Sequence, residues 1–351
     1  MAQQEQKMLH LSTSPHIRYE ETVPSIMMYV VLALIPAFFA SLYFFGLRAL
    51  FLTVVCIISC LLTEYVITRF LVKRENTITD WSALITAILL AFNLPPALPW
   101  WMAVLGSVFA IGVAKWTFGG LGNNFINPAL AGRAFLLASY PAAMTTWTAP
   151  RGGTLSGLND AGMTAVSSAP DAITSATPLA AFQNAVREGS FQALDFQDAL
   201  GNLFVGNVGG CIGETSALAL LMGAAFLLYK RVIGFSIPMT YIGTVFLLSW
   251  FFNGTGGFLT TDALIIPVYQ VFAGGLMLGA LFMATDMVTS PLTTSGKFLF
   301  GFGCGILTFV IRRFGGYPEG VSYSILLMNL VVPLLDRYTR PRVYGKVFKR
   351  A

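Results

Sequence analysis

Apolar runs close to membrane-spanning length recur along the chain, and most are cut by proline, glycine or a polar patch. A bilayer core needs about 20 apolar residues per helix, and only helices or closed barrels satisfy the backbone inside it. The sequence therefore predicts an all-α polytopic membrane protein. Composition agrees: 56% of the 351 residues are hydrophobic and 11% charged, against about 25% charged in soluble domains. Transmembrane helices are expected near 23–45, 49–72, 81–94, 99–116 and 126–148, then 203–229, 232–252, 262–285, 297–313 and 321–335.

That layout divides the chain into five parts. Residues 1–22 form a polar N-terminal tail without the apolar core of a cleaved signal. Residues 23–148 form a first membrane repeat, 149–202 an extracytoplasmic loop, 203–335 a second repeat and 336–351 a basic tail. The tail holds six basic residues and Asp336, so its net +5 accounts for the whole chain's net charge. Such a cluster beside a last apolar helix is a topology signal, not a nucleic-acid footprint. With both termini cytoplasmic, Lys73, Arg74, Lys115, Lys230 and Arg231 fall on the same side. Arg312 and Arg313 are the exception to that bias.

The two halves share a pattern of breaks. "AFNLPPALPWW" precedes an FGG turn as "ATDMVTSPLTTSGK" precedes another, and Pro95–Phe118 and Pro291–Phe314 are both intervals of 23 positions. Five spans per half make the repeats inverted. Polar, proline-broken segments at matching places are the sign of half-helices meeting within the membrane.

Several chemistries are excluded. His10 and His16 both precede the first span, which removes a bis-histidine haem. No Walker loop, dinucleotide fingerprint or histidine triad occurs. Cys56 and Cys60 share a helix face as small packers. Cys211 and Cys304 lie near polar breaks, and whether a cysteine joins an inter-subunit iron–sulfur cluster is left open by one chain.

The polar patches carry the candidates. In "GGLGNNFINPALAGRAFLL", Asn127 before Pro128 suits a helix N-cap, and Asn124 can reach a ligand as readily as a cap. Arg133 follows inside an apolar segment and needs a partner. In "GGCIGETSALALL", Glu214 is either a first-turn acid matching the helix dipole or a cation, proton or ligand site. Asp286 in "ATDMVTSP" sits at a helix break as a counterpart, and Glu64 in the second span reads as more isolated.

The loop 149–202 contains "DAITSATPL". By itself this reads as an extended surface loop whose hydroxyls bond to nearby backbone. It also resembles D-x-x-[S/T]-G-A-T, the motif by which respiratory flavoproteins take FMN as a phosphoester on threonine. Asp171, Thr174, Ala176 and Thr177 match, and Ser175 stands where glycine is usual.

Together with "NNFINPALAGRAFL", "GCIGETSALALL", "ATDMVTSP" and "FGGYPEGVSYSILLMNLVVPLLDRYTRPRVYGK", the chain resembles the RnfD/NqrB family over about residues 15–350. The resemblance implies one component of an ion-translocating oxidoreductase of the bacterial inner membrane. It would link electron transfer between NADH and ferredoxin to Na⁺ or H⁺ movement. FMN would sit on Thr177 within the attachment motif of Asp171, Thr174 and Ser175. A second, non-covalent flavin (riboflavin or FMN) is implied near Asn124 and Asn127, with Arg133 and Glu214 as further contacts. Asp286 and Glu214 would serve ion coupling. Partners would be the other Rnf proteins, RnfA, RnfB, RnfC, RnfE and RnfG, notably the periplasmic flavoprotein RnfG and the membrane pair RnfA/RnfE. The alternative from architecture alone is a small-solute channel similar to urea transporters, without a redox role.

Overall fold

A computed structural model of the chain describes residues 22–73, 77–148, 150, 177–188, 196–253, 261–315 and 319–340. Asp171, Thr174 and Ser175, the N-terminal tail and residues 341–351 of the basic tail lie outside these.

The regular elements described are helical. α1 (Val23–Phe45) and α2 (Leu47–Val66, continued as a π-helix by Ile67–Val72) cross first. α3 (Ser82–Phe92) stops at the expected break, and α4 (Trp100–Val108) continues as a π-helix over Phe109–Trp116. The fifth expected span resolves into α5 (Pro128–Ser139) and the single turn α6 (Pro141–Met144). α7 (Pro178–Glu188) and α8 (Phe196–Val205) follow. α9 (Ala217–Tyr229), α10 (Ser236–Asn253), α11 (Thr261–Phe272), α12 (Leu276–Leu278, continued by a π-helix to Met283), α13 (Thr294–Phe314) and α14 (Val321–Tyr338) complete the second half.

Among the described residues, three helices are long and apolar enough to cross a membrane, Val23–Phe45, Leu47–Val72 and Thr294–Phe314. A fourth span is a pair, Leu264–Phe272 and Leu276–Met283, bent by 69°. The protein is thus a multi-pass membrane protein. Phe39, Ile58, Leu62 and Phe302 stay exposed on the long helices, as side chains facing lipid do. Two sequence expectations are corrected here. The span at 203–229 is interrupted by a non-helical connector between Val205 and Ala217, and that at 262–285 is broken at the bend.

α2 packs on α3 and α4, and α10 on α11 and α13; across the halves α1 meets α9 and α5 meets α14. Small residues permit the closest approaches. A Cβ on Gly301 would lie 2.0 Å from Thr240 Oγ1, and one on Gly305 would lie 2.5 Å from Thr244 Cβ. These glycines, four apart, let the α13 backbone rest on α10, where apolar burial alone gives no advantage over lipid.

The breaks are satisfied by protein. Phe92 and Leu94 end α3 with carbonyls that accept from Gly213 and Ile212 N–H at 2.9 and 3.0 Å. Asn127 caps α5 through Oδ1, which accepts from Ala129 N–H at 3.0 Å, with Pro128 in the first helical position. Its Nδ2 donates to the Met283 carbonyl at 3.3 Å, tying the first-half break to the end of the bent segment. This is the condition under which non-helical backbone persists at membrane depth.

Candidate functional site

Three features bear on function. The first is Thr177. It is buried, and its Oγ1 accepts the Ala180 N–H at 3.1 Å while its carbonyl accepts the Ala181 N–H at 2.9 Å. With Pro178 as the first helical residue, this is an N-cap. The expected extended loop is corrected at this point: the end of the "DAITSATPL" stretch is the start of an amphipathic helix. Leu179 and Phe182 of α7 pack with Leu203, Ile266, Tyr269 and Ala273 in a small core of their own. Tyr269 donates its hydroxyl to the Pro178 carbonyl at 2.9 Å, and Gln183 donates to the Arg312 carbonyl at 2.5 Å.

Arg312 explains its own departure from the charge bias. It is buried and donates to the carbonyls of Gln270 and Ala273 at 2.6 and 3.0 Å. A cation there meets the negative end of α11.

The second feature is a partly open cleft beside the Asn127 cap. Asn124, Asn127, Asp286, Lys115 and Thr86 supply its polar groups, and Ile85, Leu89, Leu227 and Phe282 much of its apolar wall. Asn124 Oδ1 is buried without a hydrogen-bond partner, which leaves an acceptor free for a ligand. Asp286 accepts from the Thr289 hydroxyl at 3.1 Å.

The third is a set of buried charges. Arg133 Nη1 donates to Asn93 Oδ1 at 2.5 Å and to Glu214 Oε1 at 2.8 Å, and Nη2 donates to Glu319 Oε2. Glu214 lies in the connector two residues before the Ser216 N-cap of α9, so it is not in the first helical turn. Beside the cleft that it also lines, Lys115 donates to both Glu64 oxygens at 2.6 and 2.8 Å and to Ser82 at 2.8 Å. Thr77 adds a bond to Glu64 at 2.6 Å. The reading of Glu64 as isolated is overturned, because its partner lies 51 positions away.

Comparison with known proteins shows the family. The NQR2, RnfD, RnfE family matches residues 10–345. The chain belongs to that family. Among its relatives, the D component of the Na(+)-translocating ferredoxin:NAD(+) oxidoreductase complex of Acetobacterium woodii is 45% identical, covering 98% of each chain. The D component of the proton-translocating ferredoxin:NAD(+) oxidoreductase complex of Clostridium ljungdahlii is 44% identical, again over 98% of each. The D component of the ion-translocating oxidoreductase complex of an Escherichia coli strain is 37% identical, over 95% of this chain and 98% of its own.

Within this member of the NQR2, RnfD, RnfE family, the structure sorts the sequence-derived candidates. Asn124, Asn127 and Asp286 line one cleft. Arg133 and Glu214 meet each other in the ionic cluster instead, and Thr177 stands apart on α7. Glu319 was missed, because in "YPEGVS" it looks like an ordinary turn acid. The single clue was the unpaired Arg133, which called for an acid without saying which.

Proposed function

We propose that this chain is the membrane component of an ion-translocating ferredoxin:NAD⁺ oxidoreductase complex, carrying FMN covalently on Thr177. The observation that carries the reading is the combination of the D-x-x-[S/T]-x-A-T match with the placement of Thr177 as the cap of α7. Its hydroxyl oxygen sits where a helix presents free N–H groups and positive potential, a setting that suits an attached phosphate. Flavin, when bound, supplies the redox chemistry, and the protein supplies position and environment.

A second, non-covalent flavin (riboflavin or FMN) is assigned to the cleft. Asn124 would hold it through its free Oδ1, Asn127 is fixed beside it by its cap, and the apolar wall keeps water away. Asp286, in the same cleft, and Glu214, in the ionic cluster, are the residues assigned to ion coupling. Two inverted five-helix repeats underlie the arrangement, supported by the like packing of α2–α4 and of α10, α11 and α13. The chain would lie in the bacterial inner membrane with both termini cytoplasmic and α7 on the periplasmic face. There it would meet RnfG and the RnfA/RnfE pair of a complex that also includes RnfB and RnfC.

The test is in-gel flavin fluorescence with intact mass on the chain co-expressed with its flavin transferase, beside Thr177→Val. A fluorescent wild type heavier by one FMN less water, with a dark variant, supports the reading. Absence of flavin from both, with an active transferase, overturns it and brings the solute-channel alternative forward.

A further inference from the structure

Arg133 stands between two carboxylates. Glu214 reaches it from the connector before α9 and Glu319 from the turn before α14. Oxygens of the two acids and Cys211 Sγ come within 4.8 Å of one another. Glu214 is 6% exposed, and its Oε2 has no hydrogen-bond partner. Of the other neighbours, Asn93 of α3 is neutral, and Arg312 of α13 adds a positive charge that acts on both acids from a distance, its Nη groups being bonded to the carbonyls that end α11. On its remaining side Glu214 is pressed against the bend between α11 and α12, where a Cβ on Gly275 would lie 2.3 Å from Oε1.

Among the described residues, only Arg133 bonds the two carboxylates directly, and it leaves Glu214 Oε2 unmet. A second ionised carboxylate at this depth carries a charge whose burial is unfavourable, and neighbouring carboxylates relieve it by holding one proton between them. We propose that Glu214 and Glu319 form a proton-sharing pair clamped by Arg133, which binds and releases one proton as a unit. Protonation forms one O–H bond on the pair and takes one H⁺ from the aqueous phase; release reverses both. A proton needs no coordination shell, and Arg133 already fills the approach between the acids. Glu319 thereby becomes the partner of Glu214, in place of Asp286 across the bundle. The inference rests on the ion-coupling role given to Glu214 above.

The bend against which Glu214 lies also touches the helix that Thr177 caps. Leu179 of α7 lies 3.4 Å from a Cβ built on Gly274, and Gln183 binds the Arg312 carbonyl. A change at the carboxylates that shifted the bend would therefore be felt at α7.

The experiment is infrared spectroscopy of the intact complex across a pH series, in H₂O and D₂O, for wild type, Glu214→Gln and Glu319→Gln. The expected result is a D₂O-sensitive protonated-carboxyl band titrating as one proton, lost entirely in either variant, since each leaves one acid fully paired with Arg133. A band halved by each variant means two independent acids and overturns the proposal. So does a band that neither variant changes, no such band in wild type, or a band that follows Na⁺ concentration at fixed pH. If a Gln variant does not assemble, Glu319→Asp should shift the band without removing it, and an unshifted band counts against the pair. Flavin content is measured on the same samples. A flavin-free wild type overturns the electron-transfer reading, while the band still decides the carboxylate pair.

Discussion

Two buried ion-paired sites among the described residues are built on opposite principles. In one, Glu64 and Lys115 form a matched pair: one cation, one anion, and both carboxylate oxygens engaged by Lys115, with Thr77 as a further donor. In the other, Arg133 serves two acids and leaves Glu214 Oε2 without a partner. A satisfied pair has nothing to exchange and locks α2 to the end of α4. An overloaded cation with an idle carboxylate oxygen is poised to take up a proton. Buried polar groups are normally paired, so an unpaired one calls for an explanation.

Removing the cation from the overloaded site should have the largest effect. Arg133→Leu strands two carboxylates and is expected to lose stability at the upper end of about 3–5 kcal/mol, read by denaturation of the purified complex. The loss should shrink as pH falls, because the folded state then binds protons that the unfolded chain does not need. Stability that is independent of pH would break the comparison.

Glu64→Gln comes next, near the lower end of about 3–5 kcal/mol, since the amide still accepts hydrogen bonds. The sign of its pH dependence is opposite. A stranded ammonium is relieved by losing its proton, so this variant should gain stability as pH rises. Parallel pH profiles for Arg133→Leu and Glu64→Gln would show that the two sites do not differ in kind.

Thr177→Val removes a helix cap, an effect of about 1 kcal/mol on α7. It should be visible as faster hydrogen exchange over 178–188, with Thr177→Ser retaining protection. Equal protection in the two variants would mean that the small core around Leu179 and Tyr269 alone holds the helix.

The smallest loss is expected for Glu214→Gln, under about 1 kcal/mol, because Glu319 then pairs fully with Arg133. The contrast with Glu64→Gln is the sharpest single check: the same substitution should be costly in the matched pair and nearly neutral in the overloaded one.

Much of this was legible in the chain itself. Apolar runs marked where helices lie, and proline and polar patches marked where they break. Asn127 before Pro128 announced its cap because capping depends on residues two or three positions away. The Thr177 motif was legible for the same reason, whereas the helix it opens was not. α7 is held by Tyr269 and Ile266, which follow some 90 positions later. The interruption at 206–216 also escaped the sequence, since hydropathy averages over the connector while backbone bonds to Phe92 and Leu94 make it tenable.

The sequence by itself therefore determined the class of the protein, several of its breaks, the Asn127 cap and the threonine that carries its motif. These follow from hydropathy and from interactions within a turn of helix. Only the tertiary structure decided which charges meet. Glu64 finds Lys115 across 51 positions, and Arg133 finds its acids 81 and 186 positions away. Coulombic partners at such separations leave no periodic trace in a single chain, because packing alone brings them to the same depth.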